Sequence, residues 1–202
     1  MNHKSVRVLF LVFVFGLVIS FTSCNEEDPQ KEDVPELITQ AKLTFTPSGG
    51  GVPVEVTATD PDGEGVQDIE VDGAINLAAG VTYTLTIGLI NGLADPGSEG
   101  YDIGKEVEEE GDEHMFFFAW TGNVFADPAG NGNIDNRGDA VNYADEDESG
   151  FPIGLMTTWT AGPSSSGTFR VVLKHQPDLK TSTSSVDVGE TDLDITFEVS
   201  VN

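Results

Sequence analysis

Apolar and polar residues alternate along much of the chain with a period of two. Between positions 81 and 89, valine, tyrosine, isoleucine and leucine occupy the odd positions, while threonine fills 82, 84 and 86. An extended chain places these two sets on opposite faces, which is the pattern of a β-strand with one buried face. Positions 193–201 repeat the pattern, with apolar residues alternating against acidic and hydroxyl residues. Both segments are predicted to be strands.

Shorter segments show the same alternation, at residues 43–45, 52–56, 69–71, 153–159 and 169–173. Clusters of glycine, proline, aspartate and serine lie between them, and such clusters form turns. Helical periodicity is limited to a short helix predicted around residues 103–110. Seven to eight short strands joined by turns predict an all-β fold, namely an antiparallel two-sheet β-sandwich of immunoglobulin-like architecture.

One segment, residues 114–120, is apolar on both faces. Its even positions carry histidine, Phe116, Phe118 and Trp120, and its odd positions carry methionine, phenylalanine and alanine. This pattern predicts a strand that is covered on both sides. Either residues 123–142 lie over the second face, or Phe116, Phe118 and Trp120 form an exposed aromatic face for a ligand or receptor.

The N-terminus carries a secretion signal that ends at the single cysteine. Basic residues, an apolar run at 8–21 and two small residues precede Cys24, which is the order of a bacterial lipoprotein signal peptide. We expect a signal peptide at 1–23, lipidation of Cys24, a flexible acidic tether at 24–36 and one β-sandwich domain at 37–202. The acidic residues after Cys24 resemble the export tag of lipoproteins that are sent to the outer face of the cell, and this resemblance implies display on the cell surface. The periplasmic face of the outer membrane is the alternative.

The charge of the chain excludes several partners. It has 9 basic and 35 acidic residues, a formal net charge of −26. Loss of Lys4 and Arg7 with the signal peptide would change this to −28. Phosphate backbones and anionic lipid head groups would be repelled, so nucleic acid is not an expected ligand and membrane attachment requires the acyl chains. With Cys24 committed to lipid, the domain has no disulfide.

Two acidic turns are candidate calcium loops. Asp60, Asp62 and Glu64 in one turn, and Asp145 and Asp147 in the other, place carboxylates at alternate positions before a glycine. Calcium binds several hard oxygens, which a tight loop of this kind can supply. Neither turn has the full twelve-residue spacing of an EF-hand, and plain hydrogen-bonded turns are the alternative.

Two histidines are candidate ligands of a transition metal. His114 begins the aromatic segment and His175 ends the segment that carries Phe169, so we predict that the two imidazoles lie within a side chain's reach of each other. With Glu113 as a third ligand they could bind zinc, copper or iron. The alternative is a pair of ordinary histidines at the rim of the sandwich.

Catalytic motifs are not evident in the sequence. It has no Gly-x-Ser-x-Gly elbow and no phosphate-binding glycine loop followed by lysine. We do not expect an enzyme.

Several motifs resemble those of short lipoproteins of Bacteroidota. They are CNEED at 24–28, the acidic run into the phenylalanine-rich strand at 109–118, the aspartate-rich turn with PIGL at 145–155, LKHQP at 173–177 and GETDLDITF at 189–197. Such proteins often carry the automatic name "type 1 periplasmic binding fold superfamily protein". That name denotes two α/β lobes, whereas the two-residue period predicts a β-sandwich.

The resemblance implies a neighbourhood of TonB-dependent outer-membrane receptors, with His114 and His175 at positions that match the family pattern. The expected function is a lipid-anchored binding lipoprotein, accessory to a TonB-dependent receptor for uptake of a nutrient or metal. The alternative is a structural or adhesive surface module that calcium stabilises.

Overall fold

The computed structural model describes residues 36–60 and 69–202. Cys24, Asp62 and Glu64 lie outside the described residues, as do the predicted signal peptide and all of the predicted tether except Glu36. Within the described ranges, no helix has the length and apolar character needed to cross a membrane.

Two sheets form the domain. The strands are β1 (Gln40–Pro47), β2 (Val54–Thr59), β3 (Glu70–Asp72), β4 (Ile75–Leu77), β5 (Thr82–Ile90), β6 (His114–Trp120), β7 (Phe125–Asp127), β8 (Met156–Ala161), β9 (Ser165–His175) and β10 (Glu190–Val201). One sheet has the order β3-β2-β1-β5-β8-β7 and the other β4-β10-β9-β6. Helix α1 spans Ile103–Glu109, where Asp102 caps it by accepting from the Lys105 amide.

The predicted β-sandwich is confirmed, and so are the strands predicted from the long alternating segments. The described residues hold ten strands, more than predicted, because β4 and β7 have only three residues each and are too short to show a period. One pairing is parallel, between β4 and β10. Val52 was expected in a strand but lies before β2 with 87% of its surface exposed. The immunoglobulin-like detail stays a prediction.

The inner faces of both sheets form one apolar core. Phe45, Trp159 and Phe169 are fully buried there, with Phe118 packed against the last two at ring-centroid distances of 5.5 and 5.7 Å. Burial of large aromatic side chains supplies most of the stability of such a core.

Strand β6 is covered on both faces. Phe116, Phe118 and Trp120 are at most 2% exposed and belong to the central core, so an exposed aromatic ligand face at these residues is wrong. On the other face Met115 and Phe117 form a second small core with Val172, packed against Ile134, Tyr143 and Val186. The predicted cover by residues 123–142 is confirmed for Ile134, and later parts of the chain complete it.

Gly132 allows this cover to approach β6. It has φ +98°, and an added Cβ would lie 2.0 Å from the Phe118 carbonyl oxygen. Only glycine fits such a position. The neighbouring Asn133 accepts from the Phe118 amide at 3.0 Å and donates to the Tyr143 hydroxyl, which itself donates to the Phe116 carbonyl at 2.7 Å. The cover is therefore held by a buried polar network.

Candidate metal centre

Strand ends converge at one edge of the smaller sheet. Strand β6 begins at His114, β9 ends at His175 and β10 begins at Glu190. His114 and His175 are direct partners across β6 and β9. Their rings stack with centroids 4.6 Å apart and an interplanar angle of 6°. The predicted proximity of the two histidines is confirmed.

His175 is oriented by Glu113. Its Nε2 lies 3.2 Å from Glu113 Oε2, while the Glu113 carbonyl accepts from the Gln176 amide at 2.6 Å. The ring is 6% exposed and the Glu113 side chain 38% exposed. Glu113 therefore joins the edge of β6 to the end of β9 through both its main chain and its carboxylate.

His114 lies deeper than His175. Its Nδ1 is 3.2 Å from the main-chain oxygen of Glu110, and its Nε2 is 3.8 Å from Asp192 Oδ2. Both the His114 ring and the Asp192 carboxylate are 0% exposed. The interior end of this ring therefore faces a buried acid.

The two imidazoles are aimed at different carboxylates. An imidazole nitrogen binds a metal ion through a lone pair that lies in the plane of its ring. Because the two ring planes are nearly parallel, their lone pairs cannot point at the same ion. The Nε2 atom of His175 faces the Glu113 carboxylate, and the Nε2 atom of His114 faces the Asp192 carboxylate. The structure thus brings His114, His175 and Glu113 together, but not as three ligands of a single ion.

A different group of donors surrounds His114. Three ligand atoms lie within 4.8 Å of one another, one each from Glu36, Glu110 and His114. The two glutamates are partly exposed. Glu110 is the C-cap of α1, and Glu36 precedes β1. Imidazole nitrogen and carboxylate oxygen are both ligands of divalent transition metals. A metal-binding triad is therefore available at this edge, with one ligand in the interior and two at the surface.

Asp192 lies beside the His114 ring because β10 is irregular. The register of β10 with β9 shifts between Thr191 and Leu193, so Asp192 occupies a β-bulge and is 4% exposed. Among the described residues, neither of its carboxylate oxygens accepts a hydrogen bond of normal length and angle. Burial raises the pKa of Asp192 to about 6, against the opposing effects of His175 and of the nearby Glu36 amide.

Glu36, Glu110 and Asp192 were not among the predicted site residues. A signal existed for Glu110, which precedes His114 by four residues. Glu36 is distant along the chain and falls in the predicted tether. In regular alternation with Leu193 and Ile195, Asp192 would point outward, and the bulge that reverses it leaves no mark in the sequence.

The second predicted calcium turn is tied by protein groups. Asp145 accepts from the Gly154 and Met156 amides, and Asp147 Oδ1 accepts from the Ser149 and Phe151 amides. Asp147 Oδ2 lies 2.8 Å from Lys180 Nζ, with both side chains 1% exposed. Calcium at Asp147 would have to displace this ammonium, so the geometry favours the plain-turn alternative.

The first predicted calcium turn is described only at its start. Asp60 is 1% exposed, and its amide donates to the Thr39 carbonyl at 2.8 Å. Asp62 and Glu64 lie outside the described residues. The calcium hypothesis for this turn stays a prediction.

Comparison of the chain with protein-family models, curated proteins and solved structures gives no match.

Proposed function

We propose that this protein is a lipid-anchored binding lipoprotein of the outer membrane that holds a transition metal ion at His114, Glu36 and Glu110. We further propose that it serves a TonB-dependent receptor as an accessory in metal uptake, displayed on the cell surface. The observation that carries the proposal is the approach of three donor groups to within 4.8 Å around a buried imidazole.

The electrostatics of the molecule support capture of a cation. Thirty-five acidic residues against nine basic ones create a negative potential that attracts metal ions and raises their local concentration. Glu36 and Glu110 are partly exposed, so an ion can reach them from solvent, and the buried His114 supplies the nitrogen ligand. We propose binding rather than catalysis because the sequence lacks a catalytic motif.

The test is metal retention by the full chain, purified in detergent. The protein is equilibrated with zinc, dialysed and analysed for bound metal, with the calcium content measured in parallel. We expect about one zinc ion per chain in the wild type and its loss in His114→Ala, because the imidazole is the nitrogen ligand. Retention of calcium alone would contradict the proposal and favour the adhesive module.

His175→Ala is the matched control. It removes an imidazole from the same strand pair, yet one that is paired with Glu113 rather than with the triad. We expect this variant to keep its zinc, with a loss of affinity no greater than the roughly 10–100-fold that removal of a supporting residue costs. Equal loss in the two variants would restore the predicted site in which both histidines bind one ion.

A further inference from the structure

We propose that Asp192 is a fourth ligand of this centre and that the ion is a divalent metal of the zinc, iron or manganese class rather than calcium. The inference rests on the metal binding proposed above. It adds the residue that closes the centre on its interior side, and the ligand chemistry that follows from it.

The first step concerns the tautomer of His114. Nδ1 lies 3.2 Å from the Glu110 main-chain oxygen. A carbonyl oxygen only accepts, so Nδ1 carries the proton of this hydrogen bond. In the neutral ring Nε2 then presents a lone pair, and a main-chain partner on the other nitrogen is the usual way in which proteins fix a metal-binding tautomer.

The second step concerns what Nε2 faces. Asp192 Oδ2 is 3.8 Å away, which is too far for a hydrogen bond. Two ligands of one tetrahedral zinc ion, each bound at about 2.1 Å, are about 3.4 Å apart. A contraction of a few tenths of an ångström would therefore place Nε2 and Oδ2 on the same ion.

The third step concerns the position of Asp192 in β10. The bulge between Thr191 and Leu193 turns this carboxylate inward, and its side chain is 0% exposed. A buried carboxylate is costly unless a cation or hydrogen bonds compensate it. Bulges that re-aim a side chain are common next to functional sites. A metal ion between Asp192 and His114 would supply that compensation.

The four donors define the class of ion. They are one imidazole nitrogen and the carboxylates of Glu36, Glu110 and Asp192, without a thiolate or thioether. Calcium takes six to eight oxygens, whereas zinc, iron and manganese accept imidazole with carboxylate at lower coordination number. Copper(I), which prefers sulfur ligands, does not suit this set.

The experiment loads the full-length, metal-free protein with cobalt(II), whose visible d–d absorption reports coordination. We compare the wild type with Asp192→Asn, Asp192→Glu and the control Glu198→Gln, which alters an exposed acid of the same strand. We expect Asp192→Asn to change the absorption spectrum and to weaken cobalt binding by more than about a hundredfold, which exceeds the usual loss for a supporting residue. Asp192→Glu should keep part of the affinity, and Glu198→Gln should match the wild type.

The outcomes separate this inference from the proposed function. An unchanged spectrum in Asp192→Asn, with or without a smaller loss of affinity, would overturn Asp192 as a ligand while leaving metal binding intact. Failure of the wild type to bind cobalt and zinc would overturn the proposed function itself. Far-ultraviolet and near-ultraviolet circular dichroism of each metal-free variant checks that it is folded.

Discussion

Asp192 and His114, at the edge of the smaller sheet, are buried polar residues that lower the stability of the fold but could bind a metal ion. Asp192 is buried, and within the described ranges its carboxylate accepts no hydrogen bond of normal length and angle. The His114 ring beside it is also 0% exposed. A chain selected only for stability would place apolar residues at both positions. An acid and an imidazole at these positions are what the proposed metal site would require, because its ligands must be held in place before an ion binds.

Replacing Asp192 by asparagine should stabilise the metal-free protein at neutral pH. The folded pKa of about 6 lies above the ordinary value of 3.8. The charged form is therefore penalised by folding, by about 3 kcal/mol above pH 7. This penalty shrinks as pH falls through 6 and is absent below the unfolded pKa. The amide side chain of the variant carries no charge and escapes the penalty.

The measurement is thermal unfolding in a chelator at pH 7.5 and at pH 4. Asp192→Asn should raise Tm by several degrees at pH 7.5, since each kcal/mol shifts Tm by about 2–4 °C in a domain of this size. At pH 4, just above the unfolded pKa, the advantage should shrink to less than about 1 kcal/mol. A lower Tm for the variant at pH 7.5 would show that the charged carboxylate is well compensated without metal.

Element boundaries could be predicted from the sequence wherever the alternation was long. Strand β5 and most of β10 agree with their patterns because one buried face enforces a period of two. Strands β4 and β7 were missed because three residues cannot establish a period.

The sequence predicted only part of the site. Strand ends indicated His114 and His175, but the bulge at Asp192 and the return of Glu36 to the same edge depend on tertiary structure.

A buried ion pair joins two loops that the strands leave apart. Lys180, between β9 and β10, meets Asp147, between β7 and β8, and donates to the Gly111 carbonyl as well. Burial alone would raise the pKa of Asp147, but Lys180 and the Phe151 amide outweigh it and lower the pKa. Burial also lowers the pKa of Lys180. The pair therefore contributes less to the free energy of unfolding than the lowered pKa of Asp147 alone suggests.

Removing only one partner of this pair should destabilise the protein by more than the intact pair stabilises it. Lys180→Met leaves the Asp147 carboxylate buried without its cation, and we expect a loss of about 3–5 kcal/mol in the free energy of unfolding, measured by urea denaturation at pH 7.5. Lys105→Met, which removes an exposed partner of Glu109, is the control and should change little. The double variant Asp147→Asn/Lys180→Met should regain part of the loss. A Lys180→Met protein as stable as the control would contradict a buried pair.

At the scale of the whole molecule, the proposed attachment to the membrane would depend on a single acylation site, Cys24. The acidic exterior offers no attraction to anionic lipid, and covalent acyl chains would be the anchor. Cys24→Ala should therefore release the protein from the membrane fraction and abolish incorporation of a labelled fatty acid in growing cells. His114→Ala should keep its label and serves as the matched control. Label that persists in Cys24→Ala would refute lipidation at this residue.

The position of β10 determines when the proposed site can form during synthesis and export of the chain. It is the last of the ten described strands, yet it lies inside its sheet between β4 and β9, and it carries Asp192. Until residues 190–201 are available, the smaller sheet lacks an interior strand and the edge around His114 is incomplete. A chain whose residues 190–201 are still inside a secretion channel would therefore be unable to close around an ion. If the protein is exported as proposed, it would acquire its metal only after it has crossed the inner membrane.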